Sequence, residues 1–220
     1  FKNQYQFKKI EIMTKIITTL VVFVATVLSA NAQQFEQGMG KAFGAWKTGN
    51  ATEASALFER IASVEKTNWL PNYYVALVNT TEAFNPANAK NATALINKAQ
   101  TALDAAELIS PNNAEILIMQ AMINTALIVQ DPMTNGMKLS APTIELYEKA
   151  IKLAPENPRA VFGKADFEIG GAQYWGTDTK PMCEQVAKSI ELFAKFKPES
   201  QFHPSWGLDR AQETLKNCGK

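Results

Sequence analysis

One histidine and two cysteines in 220 residues leave little room for side-chain catalysis. A zinc site needs three or four His, Cys or carboxylate ligands in register, and no such spacing is visible. A nucleophilic triad would have to use His203, which sits between Phe202 and Pro204, a setting that suits a loop or a helix cap. Cys183 and Cys218 lack the C-x-x-C spacing of a redox-active pair. No G-x-x-x-x-G-K-[ST] is present, and Gly38-Met-Gly40 lies in a helical pattern with no strand before it, so phosphate cradling has no support. Only paired carboxylates of the glycosidase kind stay open, because their spacing is a three-dimensional fact. The expectation is a chain without enzymatic activity, cofactor or metal.

Charge of one sign is lacking too. The formal net charge is +1, and Lys2, Lys8, Lys9, Lys15 and Glu11 precede residue 33, so the remainder carries 18 basic and 20 acidic residues. Such a balance argues against nucleic acid as a partner. Apolar runs long enough to span a bilayer are absent as well: Ile16 to Leu28 is 13 residues, against roughly 20 for a span. That run follows the basic start Met13-Thr-Lys15 and ends in Ser29-Ala30-Asn31-Ala32, the small-residue pattern of a cleavage site. Met13 to Ala32 is therefore read as a secretory signal peptide, with a retained anchor as the alternative. Phe1 to Ile12 is read as upstream sequence. No cysteine stands at the cleavage point to carry a lipid. The expectation is an exported protein, periplasmic or extracellular, without a membrane span once the signal is removed, folding over residues 33–220 as one domain.

What the chain has in quantity is helical periodicity. Phe35, Met39, Ala42, Phe43 and Trp46 share one face, and Asn50 with Glu53 makes a capping-box pattern before a helix whose inner face holds Ala54, Leu57, Phe58, Ile61 and Ala62. Leu70-Pro71 opens a third helix with the stripe Tyr73, Tyr74, Leu77, Val78 and Phe84, and Asn85-Pro86 opens a fourth with Leu95, Ala99, Leu103 and Ala106 inward. Ala114 to Gln130 is apolar almost all round, hence central; Glu115, Gln120, Asn124 and Gln130 bar it from a membrane. Asp131 to Gly136 reads as a turn-rich insertion, with a helix restarting at Ser140 and Pro142 and running to Ala154; Glu145–Lys149 and Glu148–Lys152 support its wet face. Asn157-Pro158 starts the next helix, which is expected to break at Gly170-Gly171 into an irregular loop up to Pro181. A helix from Pro181 to about Phe196 follows. A last helix follows His203-Pro204, with Trp206, Ala211 and Leu215 on one side as an end cap.

One passage recurs. Leu103, Ala106 and Pro111-Asn-Asn-Ala return in kind as Tyr147, Ala150 and Pro155-Glu-Asn-Pro-Arg159: a large residue, a small one three later, a stop at Pro five further on, and a new helix at once. A unit of this kind cannot bury its apolar face alone and must stack on its neighbours. These passages resemble tetratricopeptide repeats (TPR), most clearly from Ala92 to Ala165. The two prolines lie 44 residues apart against a family unit of about 34, and the excess matches the Asp131 to Lys138 insertion. The whole resembles exported bacterial proteins of that class. The resemblance implies an all-α fold of stacked antiparallel hairpins, about four of them, wound into a right-handed superhelix with a C-terminal capping helix. It also implies a protein or peptide partner bound on the concave face.

The candidate contact residues follow from that reading. Tyr73 and Tyr74 are adjacent, so one of them should point to the groove or to solvent, and Asn72, Asn79 and Asn124 offer hydrogen-bonding groups there. Tyr174, Trp175 and Asp178, in the Gly170 to Pro181 loop, form a second candidate patch; the alternative is that the loop folds back and buries Trp175. An enclosed pocket around that loop would instead indicate a small-ligand binder or an enzyme. Cys183 begins one helix and Cys218 ends the next. An antiparallel pair brings them level, within reach of a bridge that export would favour; two buried free thiols are the alternative.

Overall fold

The computed structural model describes residues 32–218, so the signal-peptide reading lies almost wholly outside the described residues. Every element is helical: α1 (32–47), α2 (Ala51–Val64), α3 (Leu70–Phe84), a 3-10 turn (Pro86–Asn91), α4 (Ala92–Ile109), α5 (Ala114–Gln130), α6 (Pro132–Leu153), α7 (Pro158–Trp175), α8 (Lys180–Lys195) and α9 (Leu208–Asn217). No strand occurs among the described residues. The helices pair as antiparallel hairpins, with α3 on α4, α5 on α6 and α7 on α8 in broad contact. The first helices of successive hairpins also touch, α3 on α5 and α5 on α7. No comparable contact joins α4 to α6 or α6 to α8 among the described residues. The array therefore curves toward the side of α3, α5 and α7, which is its concave face.

The repeated passage has the same structure in both copies. Leu103 and Ala106 are buried, as are Tyr147 and Ala150. Each helix ends with a backbone N–H reaching back to the alanine carbonyl, Ser110 to Ala106 and Ala154 to Ala150. Asn113 and Asn157 then cap α5 and α7, their Oδ1 atoms accepting from the N–H of Glu115 at 2.9 Å and of Arg159 at 3.0 Å. Small residues set the spacing between helices. At Gly163 an added Cβ would lie 2.5 Å from Cε1 of Tyr147, so the buried ring presses directly on the α7 backbone.

Three expectations about element boundaries are corrected. Asp131 to Gly136 is no turn insertion: Asp131 accepts from the Thr134 N–H at 3.0 Å, Pro132 occupies the first turn, and α6 runs without a break through Pro142. Asp-Pro acts here as the Asn-Pro pair does at α7, a cap followed by a proline whose missing N–H would be unpaired anyway. The extra residues of this repeat thus lengthen a helix. Glu148, expected to pair along α6, instead meets Lys164 of α7 at 3.1 Å. Likewise α7 does not break at Gly170-Gly171 but continues to Trp175 and stops at Gly176, whose φ of +68° supplies the left-handed cap. Finally, Trp206 is not on the last helix: α9 begins at Leu208, after Gly207 at φ +110°.

The bridge between Cys183 and Cys218 is present, with a Cα–Cα separation of 5.9 Å. It joins the start of α8 to the end of α9. Their connection, residues 196–207, is the apex of that hairpin, and it does not stay outside.

Candidate functional site

The 196–207 connection crosses the concave face at the N-terminal ends of the inner helices. Phe202 and Pro204 are buried. The Phe202 ring stacks on Phe43, centroids 5.9 Å apart and planes within 8°, and meets Phe35 edge-on at 5.7 Å. Its carbonyl accepts from the Tyr74 hydroxyl at 2.8 Å. Trp206 donates its indole N–H to the Tyr73 hydroxyl at 2.9 Å and packs against the core of the first hairpins and that of α5–α7 alike. Tyr73 and Tyr74 are consequently both buried. Tyr73 is turned to the groove, where the chain itself fills the position through Trp206. Burial, with the nearby Glu115 carboxylate second, pushes the Tyr73 phenol well above its usual range, and the same causes raise Tyr74. Both therefore stay protonated.

Beneath this strap lies an ion pair. Arg159 Nη2 reaches Glu115 Oε1 at 2.6 Å, and Nε reaches Oε1 at 3.0 Å and Oε2 at 2.9 Å. Asn157 Nδ2 adds a bond to Oε1 at 2.6 Å. Both charged side chains are almost wholly buried. The guanidinium also lies 4.4 Å from the centre of the Phe196 ring, a cation–π contact that ties the start of the strap to α7. His203 Nε2 stands 3.9 Å from Glu115 Oε1, and burial pulls its pKa down although Glu115 and Glu199 oppose the shift.

The other expected groove residues are occupied internally. Asn79 donates to Ser55 Oγ at 2.8 Å and to the Val75 carbonyl. Asn124 is buried and accepts from Gln120 Nε2, which belongs to a polar ladder with Gln100. Asn72 lines a different feature, an open hollow of about 500 Å³ between α2, α3 and α4, spanned by the Lys98–Glu59 pair at 3.0 Å.

The C-terminal ends of the inner helices are different in kind. Because α3, α5 and α7 run parallel, their last turns and the starts of α4, α6 and α8 form one edge of the array. On that edge Trp175 is 77% exposed and Tyr174 66%, their rings edge to face at 5.0 Å. Met133 and Met137, on the first two turns of α6, are 82% and 95% exposed. Val129 and Phe84 are exposed on the same edge. Trp175 therefore does not fold back against the array. Asp178 has a local task, its Oδ1 accepting from the Lys180 N–H at 2.9 Å at the start of α8. The expected irregular loop gives way to a helix end, with Tyr174 and Trp175 exposed on it.

Two elements were missed in the sequence. The strap left no local signal, since Tyr74 and Phe202 are 128 residues apart. The ion pair did leave one: Glu115 and Arg159 each stand two residues after a capping asparagine, at equivalent places in successive repeats, with opposite charge.

No family model matches the chain, and none of the curated proteins matches it by sequence. Among solved structures it is similar to the HusA haemophore from Porphyromonas gingivalis, at 24% identity and a TM-score of 0.73, over 84% of this chain and 92% of that one. It is also similar to TTC0263, a thermophilic TPR protein of Thermus thermophilus, at 12% identity and a TM-score of 0.55, over 83% and 97% respectively. These likenesses show the fold: an all-α array of stacked helical hairpins of the kind found in that thermophilic tetratricopeptide-repeat protein.

Proposed function

We propose that the chain is an exported binding module that takes a protein or peptide partner bearing an apolar surface on its turn edge. The observation that carries this reading is the ridge of Trp175, Tyr174, Met133 and Met137, held out on the ends of rigid helices. Exposed large aromatics are the residues that dominate interface energies, and methionine adapts to irregular partners. Apolar side chains gathered on one edge of a protein mark a contact surface more often than scattered ones do. The concave face, the site implied by the repeat resemblance, is crossed by residues 196–207 at one end of its helices, which moves the weight of the proposal to the other end. The signal-peptide pattern of Met13 to Ala32 and the Cys183–Cys218 bridge support export to an oxidising compartment.

A second reading has one specific observation in its favour. HusA is a haemophore, and the likeness to it covers most of both chains. A planar apolar ligand of the porphyrin type would lie well on an exposed Tyr–Trp pair. The same variant tests both readings. Affinity capture from an envelope fraction and an absorbance titration with haemin are run on the intact chain and on Trp175→Ala, with thermal unfolding as the folding control. Loss of captured protein in the variant supports the first reading, and a saturable haemin spectrum that the variant loses supports the second. If neither signal depends on Trp175, the edge is not the binding surface.

A further inference from the structure

The strap behaves toward the array as a bound peptide does. Among the described residues, two of its amides join the local backbone ladder, Phe196 to Phe193 and His203 to Ser200. Its position comes chiefly from side chains of four other helices: Phe35 and Phe43 of α1, Tyr73 and Tyr74 of α3, Glu115 of α5 and Arg159 of α7. Two aromatic anchors sit on either side of a buried proline, in the run Phe202-His-Pro-Ser-Trp206. One tyrosine hydroxyl reads the backbone carbonyl at the first anchor, and the other receives the indole N–H of the second. Aromatic pockets combined with a backbone contact are how grooves take extended, proline-containing segments.

We propose that the concave face is a recognition groove for an extended aromatic–proline–aromatic peptide segment, that residues 196–207 are its resident occupant, and that the Cys183–Cys218 bridge controls whether that occupant can leave. This inference concerns the opposite end of the inner helices from the turn edge and stands independently of the function proposed there. With the bridge closed, the strap belongs to a ring and the end of α9 is pinned to the start of α8. The strap is then held at both ends. With the bridge open, residues 196–218 are no longer closed into a ring with α8. Among the contacts holding α9 are the small buried surface of Ala211 and Thr214, the Thr214–Asp166 bond at 3.0 Å and the exposed Arg210–Asp166 contact at 3.6 Å. Ala211 also packs, with Leu215, in the core cluster of Phe162, Ala165, Ile169 and Val186; with the ring open these noncovalent contacts and those of the strap alone hold the unit, which then opens locally before the rest of the fold. Its departure exposes the hydroxyls of Tyr73 and Tyr74 and the aromatic floor of Phe35 and Phe43 to an incoming segment of the same chemistry.

Opening requires a dithiol reductant. One of its thiolates attacks a bridge sulfur, forming a mixed disulfide and releasing the other cysteine as a thiol. Its second thiol then displaces the remaining cysteine. Two electrons and two protons pass to the protein, and the reductant leaves as its own disulfide.

The test uses the full chain and a labelled synthetic peptide of residues 196–207, followed by fluorescence anisotropy, together with hydrogen exchange read by mass spectrometry. The oxidised chain should keep its strap protected and show no peptide binding. After treatment with a dithiol, and equally in the Cys183→Ser/Cys218→Ser variant, exchange over 196–218 should rise by about tenfold or more while α3 to α5 stay protected. The peptide should then bind saturably, and a peptide with Phe202→Ala and Trp206→Ala should not. Unchanged exchange over 200–207 after reduction would overturn the proposal, as would a reduced chain that exposes its strap but binds no peptide. A rise in exchange shared by every helix would overturn it too, because the bridge would then support the whole fold.

Discussion

Replacing Arg159 by methionine isolates the buried charge beneath the strap. Methionine keeps most of the apolar stem and removes the guanidinium, so the Glu115 carboxylate loses the three contacts between 2.6 and 3.0 Å that Arg159 supplies. It retains Asn157 and a distant His203. Removing one partner of a buried ion pair costs about 3 to 5 kcal/mol, because the other is left buried and uncompensated. For a domain of this size about 2 to 4 °C of melting temperature goes with each kcal/mol, so Arg159→Met should melt roughly 6 to 20 °C lower. The Glu115→Leu/Arg159→Met double variant should recover most of that loss, since apolar replacement of both partners is nearly neutral or stabilising. Urea unfolding monitored by circular dichroism on the two singles and the double gives the coupling directly. A single-variant cost below about 1 kcal/mol would mean the pair is solvated in practice. A double variant as unstable as the sum of the singles would assign the cost to lost packing around Phe196, and either result refutes the argument.

Other consequences are more local. Gly163→Ala drives a methyl to 2.5 Å from Tyr147 Cε1 and should cost about 1 to 3 kcal/mol by overpacking, seen as a lower urea midpoint; an unchanged midpoint would show that the ring moves freely. His203 is half-buried, and its folded pKa lies below the ordinary value, so the unfolded chain takes up a proton that the folded one refuses. Stability is then complete above a pH of about 6.5 and falls as the pH drops below it toward the depressed value. His203→Gln should flatten that slope; an identical slope in both proteins would assign the effect to other groups. Trp175→Ala, at a site 77% exposed, should change stability by no more than about 0.5 kcal/mol.

The parts of this molecule legible in its sequence are those fixed by short-range physics. Asn113, Asn157 and the prolines at positions 71 and 158 mark helix starts that the structure keeps, because a cap and a first-turn proline act within a few residues. The same logic applied to Asp131-Pro132 would have started α6 correctly; Asn135 and Gly136 drew that stretch toward a turn. Helix won there because Asp131 caps the first turn and Asn135 Nδ2 donates to the Leu127 carbonyl of α5 at 2.8 Å, which together offset the propensity cost of about 1 kcal/mol that a glycine carries. Around Gly170 and Gly171 the buried Ile169 and Ala172 keep the helix going, and the positive φ of Gly176 ends α7.

The strap marks where local reading stops. Nothing within ten residues of Phe202 or Trp206 tells that they will cover Tyr73 and Tyr74, so of two adjacent tyrosines, one of which was expected to face groove or solvent, both are buried. The repeat itself nonetheless held a clue to what lies beneath. Stacking places equivalent positions of successive units side by side, and first-turn residues two past each capping asparagine lie at the same height on neighbouring inner helices. A glutamate at one such place and an arginine at the next are therefore neighbours by register. Opposite charges at equivalent repeat positions, which the inner helices bury, can be read as an ion pair from the sequence alone.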